Sequence, residues 1–312
     1  MKPLKIIRKA AHLLASLKFK FFPYVLHKMG LYSMPDDEFL RCLYKLSMGR
    51  DLDLQNPKTF TEKLQWLKLY DRRPEYTRMA DKYAVKKLVA DKIGSEYVIP
   101  LLGVWDKFED IDFDALPEQF VLKCTHDSGG LVICRDKAAF DREAARKVLS
   151  SSLLRNYYPN FREWVYKDIT PRIIAENYIP SLGRPESVEY KLTCFNGVAK
   201  LITICRGIAH SSFDVRTNDH YDRDMNRLHF WVNYKNPEVP ENIPEQMPEI
   251  IALSEKLSTG IPEVRVDWYI DKGKIYFGEF TFYTWAGFMH FNPPEYDEIL
   301  GSWLELSSEK HC

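Results

Sequence analysis

From residue 34 to about residue 92 the apolar positions recur at helical spacing, and after Pro100 they contract into runs short enough for strands. Pro35-Asp-Asp-Glu38 opens a helix with acids in its first turn, where the helix dipole favours them. Thr59-Phe-Thr-Glu62 has the form of a capping box ahead of Leu64, Trp66, Leu67 and Leu69. Asp81 is placed to cap a third helix carrying Val85, Leu88 and Val89, which ends near Gly94. Residues 119–124 and 131–134 read as strands flanking a polar, glycine-rich turn, Thr125-His-Asp-Ser-Gly-Gly130. A helix is expected around 137–153 and another strand at 173–179, broken by Pro180. Asn196-Gly197 separates residues 190–195 from 198–205 and signals a hairpin, because both turn positions tolerate positive φ. Residues 249–257 are helical in pattern, and 264–270 with 274–280 form a last hairpin about Lys272-Gly273. Strands that pair through turns, interleaved with helices, predict an α+β protein.

Composition adds size and balance. At 312 residues and 45% hydrophobic, the chain needs neither disulfide nor metal to fold, and its length suits about two domains. Lys and Arg total 44 against 44 Asp and Glu, which argues against a nucleic-acid partner. The cysteines at 42, 124, 134, 194, 205 and 312 form no CxxC and no His/Cys cluster. Neither a zinc site nor a disulfide framework is indicated, and a reduced, cytoplasmic setting is expected. The charge is unevenly spread: Lys2, Lys5, Arg8, Lys9, Lys18, Lys20 and Lys28 precede the first acid, Asp36. With Leu4, Ile7, Ala11 and Leu14 at helical spacing, residues 1–30 read as a basic amphipathic helix. It either rests on anionic lipid at the inner face of a membrane or packs as an ordinary solvated helix. No apolar run nears the ~18 residues of a membrane span, and the segment lacks the h-region and cleavage site of a signal peptide.

Candidate chemistry concentrates in the last hairpin, where Arg265-Val-Asp267 faces Glu279-Phe-Thr281 across the turn. Residues two apart share a face, so Arg265 goes with Asp267 and Glu279 with Thr281. A two-residue turn at Lys272-Gly273 pairs Asp267 with Gly278 and puts Glu279 on the other face. A three-residue loop, Lys272-Gly-Lys274, sets Asp267 opposite Glu279 and Arg265 opposite Thr281. In that second register two carboxylates and a hydroxyl offer Mg²⁺ hard oxygen ligands; otherwise the hairpin carries surface charge pairs. Upstream, Lys123 runs into Ser128-Gly129-Gly130, whose backbone N–H groups can wrap an anion. His126 and Asp127 suit a turn better than a catalytic dyad. Lys191 follows on a later strand, after the segment Glu176-Asn-Tyr-Ile179.

In order, a lysine, a glycine loop, a glutamate strand, a lysine strand and an acidic hairpin resemble the ATP-grasp superfamily. The wording is closer to its TupA-like branch, associated with polysaccharide and teichuronopeptide biosynthesis. The phrases that carry the likeness begin with Ala80-Asp-Lys-Tyr-Ala-Val85, Phe120-Val-Leu-Lys-Cys-Thr-His-Asp-Ser-Gly-Gly130 and Ile174-Ala-Glu-Asn-Tyr-Ile179. Glu189-Tyr-Lys-Leu-Thr-Cys-Phe-Asn-Gly197, Val264-Arg-Val-Asp-Trp-Tyr269 and Tyr276-Phe-Gly-Glu-Phe-Thr-Phe-Tyr283 complete the set, over roughly residues 35–306. The resemblance implies two α+β lobes with antiparallel sheets clamping ATP, behind a helical N-terminal region. It divides the chain into residues 1–30, the helical region 31–96, a lobe with a glycine-rich lid at 97–168 and a lobe with the metal site at 169–312.

The same resemblance implies roles. Lys82 and Lys123 hold ATP phosphates under a lid of Ser128, Gly129 and Gly130. Glu176 and the backbone of Tyr178 and Ile179 receive adenine and ribose, and Lys191 reaches the nucleotide from the second lobe. Asp267 and Glu279 bind Mg²⁺, and Arg265 stabilises the transferring phosphoryl group. Thr281 stands where many members of the superfamily have Asn, a shorter and weaker metal ligand. The implied activity is an ATP-dependent carboxylate–amine ligase working through an acyl phosphate. Its implied substrates are a uronic acid in a surface glycan or lipid-linked precursor, and an amine or amino acid. A kinase acting on a sugar or small-molecule hydroxyl, or a non-catalytic glycan-binding protein, are the alternatives left open. Arg206, His210, Arg216, His220 and Arg223 are the candidates for holding a glycan carboxylate.

Overall fold

The helix ends lie where the capping residues put them. Helix α1 (Asp36–Met48) is closed by Gly49 in the left-handed region at φ 73°. Before α2 (Phe60–Tyr70), Thr59 Oγ1 accepts from the Glu62 N–H while the Glu62 carboxylate accepts from the Thr59 N–H at 3.1 Å. After α3 (Pro74–Ala80), Asp81 accepts from the Tyr83 N–H at 2.8 Å and leads into α4 (Ala84–Ile93). The computed structural model describes residues 33–307 and 309, apart from 128, 183, 185, 186 and 209–214. The basic segment 1–30, Ser128 and His210 therefore lie outside the described residues.

Among the described residues, ten strands follow in two antiparallel sheets. The small sheet orders β1 (Leu101–Trp105), β4 (Ile173–Asn177), β2 (Phe120–Cys124) and β3 (Leu131–Cys134) as β1-β4-β2-β3. Helix α5 (Arg142–Leu153), capped by Asp141, packs on β2 and β3, and the one-turn helix α6 (Tyr158–Phe161) comes after it. The sequence division at residue 168 assigns β4 to the second lobe, but β4 pairs with both β1 and β2. Ile173, Ile174 and Ala175 are fully buried there, and such an apolar run needs a neighbour on each side.

The large sheet contains β5 (Val188–Phe195), β6 (Val198–Arg206), β7 (Thr217–Tyr221), β8 (Arg227–Leu228), β9 (Glu263–Asp271) and β10 (Lys274–Thr281). Their order is β10-β9-β5-β6-β7-β8. Helix α7 (Met247–Ser258) packs on β5, β6 and β9, and α8 (Tyr296–Trp303) on α2. Phe39, Leu40 and Leu64 of the opening helices share one core with Leu192, Ile202 and Val266, so the helical region is built onto the large sheet. The small sheet has its own core around Phe113, Phe120, Leu122 and Leu149.

The last hairpin uses neither of the simple registers. Lys272 and Gly273, at φ 50° and 79°, make a two-residue turn that pairs Asp271 with Lys274, not the three-residue loop. The pairing then shifts between Phe277 and Phe280, so that Phe280 lies opposite Val266 and Thr281 opposite Arg265. A bulge at Gly278-Glu279 thus restores the parity that the turn alone would break. A Cβ on Gly278 would lie 2.8 Å from a Tyr269 ring carbon and 3.0 Å from the Asp267 carbonyl oxygen. We expect Gly278→Ala to lose about 1–3 kcal/mol through overpacking, read by thermal unfolding, and to misplace Glu279.

Glu263, at the start of β9, is 2% exposed, and burial pushes its carboxyl up to about 8 from the ordinary 4.5. The folded chain therefore keeps a proton that the unfolded chain releases, and stability falls as pH rises from 4.5 towards 8. The slope approaches about 1.4 kcal/mol per pH unit. Glu263→Gln is expected to remove that slope in melting curves taken from pH 5 to 8.

Candidate active site

A cleft of about 330 Å³ opens between the sheets. Lys123 of β2 and Gly130-Leu131 of the glycine turn line one wall, and Glu189, Lys191, Tyr269 and Phe277–Glu279 line the other. Val85 and Lys86 of α4, with Val98 and Ile99, supply an apolar end. Lys82, just before α4, joins the walls: its Nζ donates to the Asp127 carbonyl at 2.7 Å and lies 3.6 Å from Glu279 Oε2. The cleft thus brings Lys82, Lys123, Gly130, Glu176, Lys191 and Glu279 together.

Glu176 is not free to receive a base. Its carboxylate oxygens lie 2.6 Å from Lys86 Nζ and 2.6 Å from Lys123 Nζ. Burial would raise this carboxyl, but the two ammonium groups outweigh it and hold it at about 2. Lys123 is raised, since Glu176, Glu279 and Glu189 outweigh its burial, whereas burial lowers Lys86. Tyr178 and Ile179 follow β4 and do not line the cleft; the Ile179 carbonyl accepts from the Leu182 N–H at 3.0 Å. Lys86 was not singled out in the sequence, where it is one basic residue of a helix without evident chemistry.

Asp267, 1% exposed, sits in a cage of cations. Arg265 meets it with two parallel contacts of 2.6 and 2.7 Å, and Lys191, its direct partner across β5 and β9, donates at 2.9 Å. Arg265 also donates to Thr281 Oγ1 at 2.8 Å, and Lys191 to Glu189 at 2.7 Å. Burial alone would raise Asp267 and lower the two cations; their mutual attraction reverses all three shifts. Glu279, with its side chain 41% exposed, is the carboxylate of this hairpin that faces open space. The set is all oxygen, as Mg²⁺ requires, and the ion usually takes one or two carboxylates plus substrate phosphates. Glu279 fits that demand directly; Asp267 and Thr281 are engaged by Arg265. Among the described residues no three His, Cys, Asp or Glu side chains form a metal cage on their own.

The glycine turn is fastened from below. The Asp127 carboxylate accepts from the Gly130 N–H at 2.9 Å and from the Ser152 hydroxyl. A Cβ on Gly130 would collide with Ser152 Oγ and with Cys124, whereas one on Gly129 would make only ordinary contacts, at 3.6 Å with Arg155 and 3.9 Å with Asp127. His126 bonds the Ser152 and Arg155 carbonyls at 3.1 Å, a structural role.

Two chambers adjoin the cleft. One, of about 310 Å³, shares Lys82 and Glu279 with it and adds Glu163, Tyr157, Tyr166 and Arg265. The other, of about 220 Å³, shares Lys191 with the cleft and Arg265 with the first chamber. Of the suggested acceptor residues, His220 lines this second chamber. Arg206 pairs with Glu241 at 2.6 Å, Arg223 with Glu255 at 2.9 Å, and Arg216 donates to the Tyr234 hydroxyl at 3.2 Å.

Two α+β lobes facing each other across a lysine-lined cleft are an ATP-grasp fold. The chain belongs to the TupA-like ATP-grasp family, whose model matches residues 62–305. It is therefore an ATP-dependent ligase, with ATP and Mg²⁺ as the cofactors of its family. No curated protein matches it. Among solved structures it is similar to D-cycloserine synthetase DcsG (14% identity, 74% of this chain and 72% of that one, TM-score 0.43). It is also similar to D-alanine–D-alanine ligase from Bacillus anthracis complexed with ATP (19%, 66% and 54%, 0.37). A third is the ADP complex of the N5-carboxyaminoimidazole ribonucleotide synthetase PurK (16%, 80% and 57%, 0.40). The chain spans little more than half the length of the last two.

Proposed function

We propose that the protein joins an amine or amino acid to the carboxylate of a uronic acid in surface-polysaccharide assembly (capsule, O-antigen or teichuronopeptide). The observation that carries this reading is a cationic cleft adjoined by two chambers sized for small acceptors, one through Lys191 and the other through Lys82 and Glu279, with Arg265 lining both chambers. Lys82, Lys123 and Lys191 take the phosphates beside the glycine turn; the apolar end at Val85, Val98 and Ile99 takes the base. Glu279, with Asp267 behind it, would hold Mg²⁺, which would supply charge neutralisation on the phosphates. The acceptor carboxylate attacks the γ-phosphorus and the bond to ADP breaks. Arg265 spreads the developing charge. The amine then attacks the acyl carbon, and phosphate leaves with the electron pair.

That amine arrives as an ammonium ion and must shed a proton. Glu163 lines the 310 Å³ chamber, and burial pushes its carboxyl up to about 7 against the opposing pull of Lys68. A base of that strength accepts a proton near neutral pH. Glu163→Gln is expected to slow amide formation with amino acids by about 10²-fold and to spare hydroxamate formation with hydroxylamine, which is already neutral.

The reading is tested by screening uronic acids against amino acids for ADP release, with products identified by mass spectrometry. ADP, phosphate and an amide appearing only with both acceptors support it. A stable phosphomonoester would make the protein a kinase, and absence of Mg-ATP binding would leave a glycan-binding protein. Among the described residues no helix is long and apolar enough to cross a membrane. We propose that residues 1–30 hold the enzyme peripherally where a lipid-linked glycan is assembled. Deleting them should lower binding to anionic vesicles; unchanged binding would remove the idea.

A further inference from the structure

The 220 Å³ chamber beyond Arg265 has been given no occupant in the steps above, and its lining is built for a ligand. Three of its lining residues carry buried polar atoms without a partner among the described residues: Asn218 Oδ1, His220 Nε2 and Thr284 Oγ1. Buried polar atoms are nearly always satisfied, so three around one cavity call for hydrogen bonds from outside the chain. Asn218 and His220 are 9% and 5% exposed. The His220 ring is held in place, stacked on Phe230 at 4.2 Å with its Nδ1 3.0 Å from Thr203 Oγ1. Burial lowers His220 to about 3, so it offers a neutral hydrogen bond and no charge.

The mouth of the chamber is equally specific. Trp285 lines it and is 45% exposed, unusual for so large an aromatic side chain. Tyr283, Trp285 and Ala286 all adopt φ between 51° and 54°, a left-handed region costly for side chains other than glycine. The buried Lys68 and Gln65 hold the loop from below, donating to the Ala286 carbonyl at 2.7 and 3.1 Å. Strain is thus maintained at the point that presents an indole face. Lys191 lies at the boundary with the cleft and Arg265 at the boundary with the Glu163 chamber, and among the described residues no Asp or Glu lines this one. An ammonium group would find no counter-charge among the described lining residues, whereas the other chamber offers it Glu163.

We infer that this chamber is a sugar-ring subsite: Trp285 stacks on the ring, Asn218, His220 and Thr284 bond its hydroxyls, and its carboxylate reaches Arg265. The inference rests on the ligase reading for the direction of that carboxylate, and its test is a binding measurement that needs no turnover. The full chain is titrated calorimetrically with glucuronate, galacturonate and acetate, with and without Mg-ATP. At least one sugar acid binds and acetate does not. Thr284→Val and His220→Phe each weaken the sugar acid tenfold or more, while Mg-ATP affinity stays within twofold of wild type. Sugar-acid affinity unchanged in both variants, or no sugar-acid binding by a wild type that does bind Mg-ATP, overturns the subsite. Sugar-acid binding lost in the variants, with no ADP release from any acceptor pair, keeps the subsite and refutes the ligase substrate instead.

Discussion

Replacing Glu279 by Gln is expected to cut ADP formation by about 10²–10³-fold with almost no change in melting temperature. The side chain is 41% exposed, and its ion-pair contact is Lys82 at 3.6 Å. An exposed pair of that length contributes at most about 1 kcal/mol, so the fold does not depend on it. Its position is another matter. The bulge at Gly278 turns Glu279 into the space shared by the cleft and the Glu163 chamber. In the proposed site, a carboxylate there would meet the γ-phosphate end of a nucleotide whose other phosphates lie along Lys123 and the glycine turn. The amide keeps the shape and removes the charge that would hold Mg²⁺. Initial-rate ADP assays over a range of Mg²⁺, paired with thermal unfolding, separate the two effects. Full turnover would mean that Glu279 only decorates the hairpin. A large fall in melting temperature would mean that it supports the fold.

The residues of the cleft were legible in the sequence to the extent that one strand or turn fixed them. Lys123 followed by a glycine turn, and Asn196-Gly197 between two apolar runs, are local signals, and both hairpins form as expected. The last hairpin was legible only as a pair of alternatives, because a bulge leaves no mark in side-chain alternation. The glycine that permits it, Gly278, looks like any other strand glycine until Tyr269 and the Asp267 carbonyl are seen above it. Lys86 and the cage around Glu176 were hidden for a different reason. Their partners are 90 and 53 residues apart in the chain, and only the packing of α4 against the small sheet brings them together. Strand β7 carries no strand signal in the sequence, since Asn218, Asp219 and His220 resemble solvated residues. They are buried because Arg227 neutralises Asp219 at 2.7 Å and β6 pairs along the whole of β7. Polar residues were thus hardest to place where another element satisfies them.

Asp267→Asn is the substitution expected to damage both fold and function. Glu279 faces open space, but Asp267 is 1% exposed and balances two cations that are themselves largely buried. Removing one member of such a group leaves buried charge uncompensated, at a cost of about 3–5 kcal/mol. Because Arg265 and Lys191 hold the Asp267 carboxyl below its usual range, its contribution is present above the ordinary 3.8 and is lost as pH falls through the lowered value. The wild type should therefore shed this stability in acid, and the Asn variant should lack that part of the acid limb. A second change sharpens the test. Lys191→Met added to Asp267→Asn removes one of the stranded cations, so the double variant should regain part of the lost stability. It should regain no ADP formation, because Lys191 is also a nucleotide ligand in the proposed site and Arg265 would still lack its anchor. Simple addition of the two stability losses would show that Lys191 and Asp267 do not form one electrostatic unit.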